Sequence, residues 1–201
     1  MSLPPKHDQD NLAGALTRGE KVKISRMRGD LLKWFDSHGR DLPWRSPDAT
    51  TYERICVEVL LQRTRVETVS PVYSEFFSSF NSWQDIAKTP KGELEEVFRP
   101  LGLWRRRAAS IKGLAEYASE HDGVFPASPS QLSKIPAVGQ YVMNAILLFQ
   151  YGEPKPLLDT NMARLLERFI HPREKVDIRY DPWLQAAAHW LVRDKNPMNV
   201  N

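Results

Sequence analysis

An all-α protein is predicted by three observations. Val69, Val72, Tyr73, Phe76, Phe77 and Phe80 recur at i, i+3, i+4, i+7, i+8 and i+11, one continuous apolar stripe of helical period. Helix-start signals recur along the chain, each a capping residue followed by proline or by an acid or amide three residues on. No segment alternates apolar and polar residues between turn pairs, as a half-buried strand would.

Residues 1–23 are polar and aperiodic and read as a mobile tail. Leu42-Pro43-Trp44-Arg45 reads as a buried turn with its tryptophan in the core, and Ile55 to Leu61 as an apolar helical run interrupted by Glu58. The 69–80 stripe follows. Ser82-Trp83-Gln84-Asp85 then has capping-box spacing with Asp in place of Glu. Thr89-Pro90 puts a cap before a first-turn proline, with Leu94, Val97 and Phe98 as the buried face. Ser128-Pro129-Ser130-Gln131 repeats that logic, and Asp181-Pro182 opens a last helix through Trp190. There is no low-complexity segment and no internal repeat.

The 201 residues can bury a sizeable core as one domain or two small lobes. Their 41% hydrophobic and 26% charged content is that of an ordinary globular protein. A net charge of +3 permits a nucleic-acid partner without requiring one. The single cysteine, Cys56, excludes an intrachain disulfide and any all-cysteine metal site. No apolar stretch approaches the roughly 20 residues a bilayer requires, and Met1 to Asp10 lacks the apolar core of a signal peptide. The expected location is intracellular, in the cytoplasm or nucleoid.

Chemistry gathers around a hairpin. Ile135-Pro136-Ala137-Val138-Gly139-Gln140-Tyr141 reads as a tight turn between two helices, in which the Gly139 N–H is available to a phosphate oxygen and the following helix aims its dipole at the anion. Downstream, Leu157-Leu158-Asp159-Thr160-Asn161 presents a carboxylate at a helix start. That group suits either a cap or the support of a sugar that becomes cationic as its base departs. Glu58, isolated among aliphatics, is the candidate for the base side, since burial favours the neutral, proton-donating form of a carboxyl. Its plain alternative is the solvated edge of an amphipathic helix, paired with Arg54 or Gln62. Gln62-Arg63-Thr64-Arg65 fills the gap left by a flipped base, or merely ends a helix. Arg105-Arg106-Arg107 beside Trp104 grips phosphates, or forms a charged helix face.

Taken in order, these motifs resemble the helix–hairpin–helix DNA glycosylase superfamily that includes endonuclease III and the adenine mismatch glycosylases. The match runs from about Trp34 to Asn201 through Leu42-Pro43-Trp44-Arg45, Glu58 to Thr64, Gly102-Leu103, Ile135 to Gly139 and Leu158 to Asn161. The resemblance implies two helical lobes with the active site between them. A six-helix barrel would cover 50–152, and a second lobe would join 24–49 to 153–201. It further implies that Asp159 is the catalytic aspartate and Glu58 the glutamate of monofunctional mismatch enzymes. Tyr141 stands where bifunctional relatives carry a lysine, whose amine attacks the sugar; adenine enzymes typically have serine there, and thymine–DNA mismatch enzymes tyrosine.

The expected catalytic set is therefore Asp159, Glu58 and Tyr141. DNA contacts are expected from Gln62, Arg63, Thr64, Pro136, Val138, Gly139, Gln140 and Asn161. The implied activity is monofunctional excision of thymine or uracil opposite guanine, on double-stranded DNA with a mismatched or damaged base, by a monomer without a membrane. The alternatives are an adenine mismatch glycosylase and a non-catalytic DNA-binding module. Two departures stand out. Ala137 replaces the usual glycine of the hairpin, a strain if that position needs φ > 0. Many relatives carry four cysteines beyond this region for an iron–sulfur cluster, which cannot form with only Cys56, so no cofactor is expected within these residues. The C-terminal domain with which adenine enzymes recognise 8-oxoguanine is not expected here either, which counts against the adenine reading.

Overall fold

The computed structural model describes residues 15–201, and among the described residues regular structure is helical throughout. No helix among them is long and apolar enough to cross a membrane. Two compact units result: one joins the N-terminal segment through Gly39 to Gly152–Asn201, and the other is continuous, Arg40–Tyr151.

The first unit is assembled from both ends of the chain. Its first helix, α1, spans Arg18–His38 and opens on a full capping box, Thr17 with Glu20. The tail expected over residues 1–23 is corrected here. Residues 1–14 lie outside the described residues, whereas Leu16 is buried and helix begins at Arg18, because a capping box needs no apolar periodicity to start a helix. Further along the chain this unit contains α9 (Thr160–Phe169), α10 (Pro182–Leu191) and α11 (Pro197–Val200). Asp181 caps α10 as expected, its Oδ1 accepting the Leu184 N–H at 2.7 Å. The helix runs to Leu191 and α11 follows it, so α10 is not the last. Arg28 of α1 reaches the carbonyls of Trp190, Leu191 and Arg193, tying the N-terminal helix to the end of α10.

The continuous unit begins with a 3-10 turn, Pro43–Arg45, whose Trp44 is buried in that unit's core. Residues 40–49 were expected in the lobe built from the termini. They group instead with the continuous unit, because Trp44 packs beside Tyr73, at 5.6 Å between ring centroids. Next come α2 (Thr51–Leu61), α3 (Val66–Ser79), α4 (Trp83–Lys88), α5 (Lys91–Phe98), α6 (Trp104–Glu120), the one-turn α7 (Pro129–Leu132) and α8 (Gln140–Tyr151). The α3 stripe buries as its period dictates, with Val69, Tyr73, Phe76, Phe77 and Phe80 in the core and Val72 packed against it.

Two start signals work differently from the expectation. Thr89 closes α4 rather than opening α5: its hydroxyl and its N–H both donate to Asp85 O, at 2.7 and 3.1 Å. A residue before proline is held extended, so α5 starts one residue later, at Lys91. Ser128 makes no side-chain cap; its hydroxyl pairs with Ser130 instead.

Candidate active site

Glu58 stands in the middle of α2, where every residue from Ile55 to Leu60 is buried. A helix enclosed on all sides cannot offer a solvated edge, and Glu58 is 9% exposed. That removes the plain amphipathic-helix alternative. A partner comes from α8: the Tyr141 hydroxyl donates to Glu58 Oε2 at 2.6 Å, a short hydrogen bond. Tyr141 lies in the first turn of α8, so the hairpin that begins this helix also delivers the phenol to the carboxyl. Arg45, at the end of the 3-10 turn, is a cation that interacts electrostatically with Glu58. Its guanidinium is lowered within the arginine range by partial desolvation and by Arg40, and the Glu58 charge acts in the opposite sense.

The hairpin is built by alternation. Ile135 and Val138 are buried, while Pro136, Ala137, Gly139 and Gln140 face outward. Gly113 of α6 lets this turn come close, since a Cβ there would stand 3.2 Å from Pro136 Cβ. Ala137 does adopt φ +65°, the left-handed region that costs a non-glycine residue. The bend carries its carbonyl round to accept the Gly139 N–H at 3.2 Å, and Val138 N–H is donated to Ile135 O. The expected unengaged Gly139 amide is therefore not what the turn holds. Val138 is buried and anchors the hairpin in the core of the continuous unit. Gly139 O accepts from Met143 N, which makes Gly139 the residue that introduces α8.

Gln62 ends α2 one turn beyond Glu58, and Gln62 and Arg63 are exposed. Arg63 has φ +57°, and Thr64 N–H closes back on Leu61 O at 3.0 Å. Arg107, read from the sequence as part of an exposed basic run, is in fact buried and bonded to the backbone of this segment. Its signal was present in the α6 pattern. Arg107 precedes Ile111, Leu114 and Ala118 at i+4, i+7 and i+11, the spacing of an inward face. Arg105 and Arg106 are exposed, and the Arg105 guanidinium stacks over Trp104 at 4.1 Å.

Asp159 and Asn161 belong to the other unit. Asp159 is the N-cap of α9: Oδ1 accepts from the N–H groups of Asn161 and Met162 at 2.9 and 2.8 Å, and Oδ2 accepts from Asn161 Nδ2 at 3.0 Å. The cap reading is thus real, and Asn161 is exposed at the tip of the same helix. Three hydrogen bonds hold the carboxylate in one orientation.

An iron–sulfur cluster, which the resemblance implies for many relatives, requires four thiolates. Cys56 is fully buried in the continuous unit, with its thiol pushed well up by burial, and it is the chain's single cysteine. Among the described residues no group of three or more His, Cys, Asp or Glu could hold a metal ion. These residues do not fit such a cluster.

A thymine-DNA glycosylase of Aeropyrum pernix is 35% identical over 176 residues, covering 86% of this chain and 78% of its own. A thymine/uracil-DNA glycosylase of Pyrobaculum aerophilum is 32% identical over 156 residues, covering 77% and 67%. The solved structure of a thermostable thymine-DNA glycosylase matches with a TM-score of 0.75 at 26% identity, over 90% of this chain and 83% of that one. Residues 56–180 match the HhH-GPD superfamily base excision DNA repair proteins, and this chain belongs to that superfamily as a DNA glycosylase of the endonuclease III fold.

Proposed function

We propose that this protein is a monofunctional mismatch glycosylase that removes thymine or uracil paired with guanine from double-stranded DNA. The observation that carries the reading is the 2.6 Å hydrogen bond from Tyr141 to Glu58. A phenol directed at a carboxyl occupies the place after the hairpin where a lyase needs an amine, so there is no Schiff base to cleave the strand. The two relatives above, named for thymine and for thymine and uracil, support the pyrimidine target.

In this mechanism the target nucleotide leaves the stack. Glu58, oriented by Tyr141, delivers a proton to the departing base as the C1′–N bond breaks. Asp159 supports the cationic sugar, and water adds to C1′ and loses a proton, leaving free base and an intact abasic site. The first turn of α8, opened by Gln140 at the exposed hairpin, meets phosphate, and Gln62, Arg63 and Thr64 support the strand the base has left. The enzyme acts as a monomer and requires no cofactor.

Base excision from labelled duplexes bearing T·G, U·G, A·G, A·8-oxoguanine and normal pairs tests this, each run with and without alkali. Strand breaks at T·G and U·G only after alkali are expected. Breaks without alkali would defeat the monofunctional reading, and adenine release would move the assignment to the adenine enzymes. Silence on every duplex would leave a DNA-binding module.

A further inference from the structure

A single guanidinium organises the loop after the Glu58 helix. Arg107 is 4% exposed. Its Nε donates to Gly102 O at 2.8 Å, and Nη1 donates to Val59 O and Leu60 O at 3.1 and 2.6 Å. Nη2 donates to Gln62 O at 2.8 Å and to Thr64 Oγ1. Five N–H groups therefore meet five oxygens, the full donor capacity of the side chain. Val59 and Leu60 lie in the last turn of α2, whose carbonyls lack helical partners and whose dipole favours a cation.

The other bonds bear on shape. Gln62 O and Thr64 Oγ1 flank Arg63, which sits at φ +57°, a conformation a non-glycine residue adopts reluctantly. Gln62 and Arg63 are exposed, so no buried apolar side chain of theirs holds the bend. Its restraints are the Thr64 N–H to Leu61 O bond and the Arg107 fork.

We infer that Arg107 is a positioning residue for DNA recognition, presetting the Gln62–Arg63–Thr64 loop in the form that supports duplex DNA once the target base has left the stack. The inference rests on the glycosylase reading above. A fully bonded planar fork differs from a lysine, whose ammonium offers three donors and no plane, so Arg107→Lys keeps the charge and loses the preset.

Single-turnover excision of uracil from a U·G duplex with 2-aminopurine beside the uracil separates unstacking from bond cleavage. For Arg107→Lys the fluorescence rise and the excision rate should both fall by on the order of tenfold, with the reacting fraction preserved. A lower reacting fraction at unchanged rates marks a merely structural role and overturns the inference. Thr64→Val removes one acceptor and leaves the fold intact. Hydrogen exchange of its 62–65 amides should accelerate about fivefold, the worth of one hydrogen bond, with exchange elsewhere in α2 and α6 unchanged. Unchanged loop exchange overturns the inference, even if Arg107→Lys does not fold. A wild-type chain that excises nothing overturns the glycosylase reading, while the exchange experiment still decides whether the loop is preset.

Discussion

At the scale of single residues, one side chain can hold two roles that substitution separates. Asp159 caps α9 through the amides of Asn161 and Met162. Asparagine is as good a cap as aspartate but carries no charge, and alanine lacks both properties. Asp159→Asn should therefore melt within about 0.5 kcal/mol of wild type yet lose at least on the order of 10²-fold in single-turnover excision. Asp159→Ala should lose the same activity and about 1 kcal/mol of stability besides. An active Asp159→Asn enzyme would reduce this residue to a cap. At Glu58, glutamine preserves volume and still accepts from Tyr141, but has no proton to give. Excision by Glu58→Gln should fall by roughly 10²- to 10⁴-fold, the range of general acid catalysis. Tyr141→Phe removes the hydroxyl that orients the carboxyl and leaves the carboxyl itself, so its loss should be smaller, about tenfold, or about 1.4 kcal/mol in the barrier. Equal losses in the two variants would mean that Tyr141 does more than orient Glu58.

At the scale of elements, the hairpin holds a local conflict between sequence and backbone. Ala137 occupies φ +65° without the freedom of glycine. The turn keeps that conformation because Ile135 and Val138 on either side are buried and fix its path. Ala137→Gly should raise stability by about 1 kcal/mol, or about 2–4 °C in melting temperature for a chain of this size. DNA affinity measured in parallel should hold or improve, and a lower melting temperature would show that the strain is already relieved. The same elements show what can be read from sequence. Aspartate and serine caps at Asp181, Ser82 and Asp159 were legible because their hydrogen bonds are local. Thr89 was not, because one hydroxyl can close the helix before it as readily as open the helix after it. Arg107 escaped because a charge reads as surface until its five acceptors, contributed by residues 59–64 and by Gly102, are brought together.

At the scale of the whole molecule, the fold was legible from period and punctuation. The extent of each unit was harder, because residues far apart in the chain share a core: Ile24 and Leu16 pack with Leu166, Leu184 and Leu191. The Tyr141–Glu58 pairing likewise joins residues that no local pattern links. The discontinuous unit also has an electrostatic weakness that the continuous one does not depend on. His189, partly buried on α10, has its imidazole pushed down to about 4 by burial first and by the Lys155 charge second. Its unfolded value is about 6.5. Because the folded state resists protonation, this contribution to stability is complete above about pH 6.5. It declines as pH falls from there and levels off below about 4, having changed by at most about 3 kcal/mol. Hydrogen exchange at pH 7 and pH 5 should therefore show α1, α9 and α10 losing protection on acidification, while α2 and α8 lose much less. Replacing His189 by glutamine, which does not titrate, should flatten that dependence. If the two units lose protection in step, or if His189→Gln keeps the full acid sensitivity, His189 is not its source, and neither is the carboxylate Asp181. It accepts three backbone amides, and these and the nearby Arg173 charge hold it low against its burial. A group held low in this way loses its contribution only as pH falls through the carboxylate range, so its signature would appear below about pH 4, beneath the histidine window.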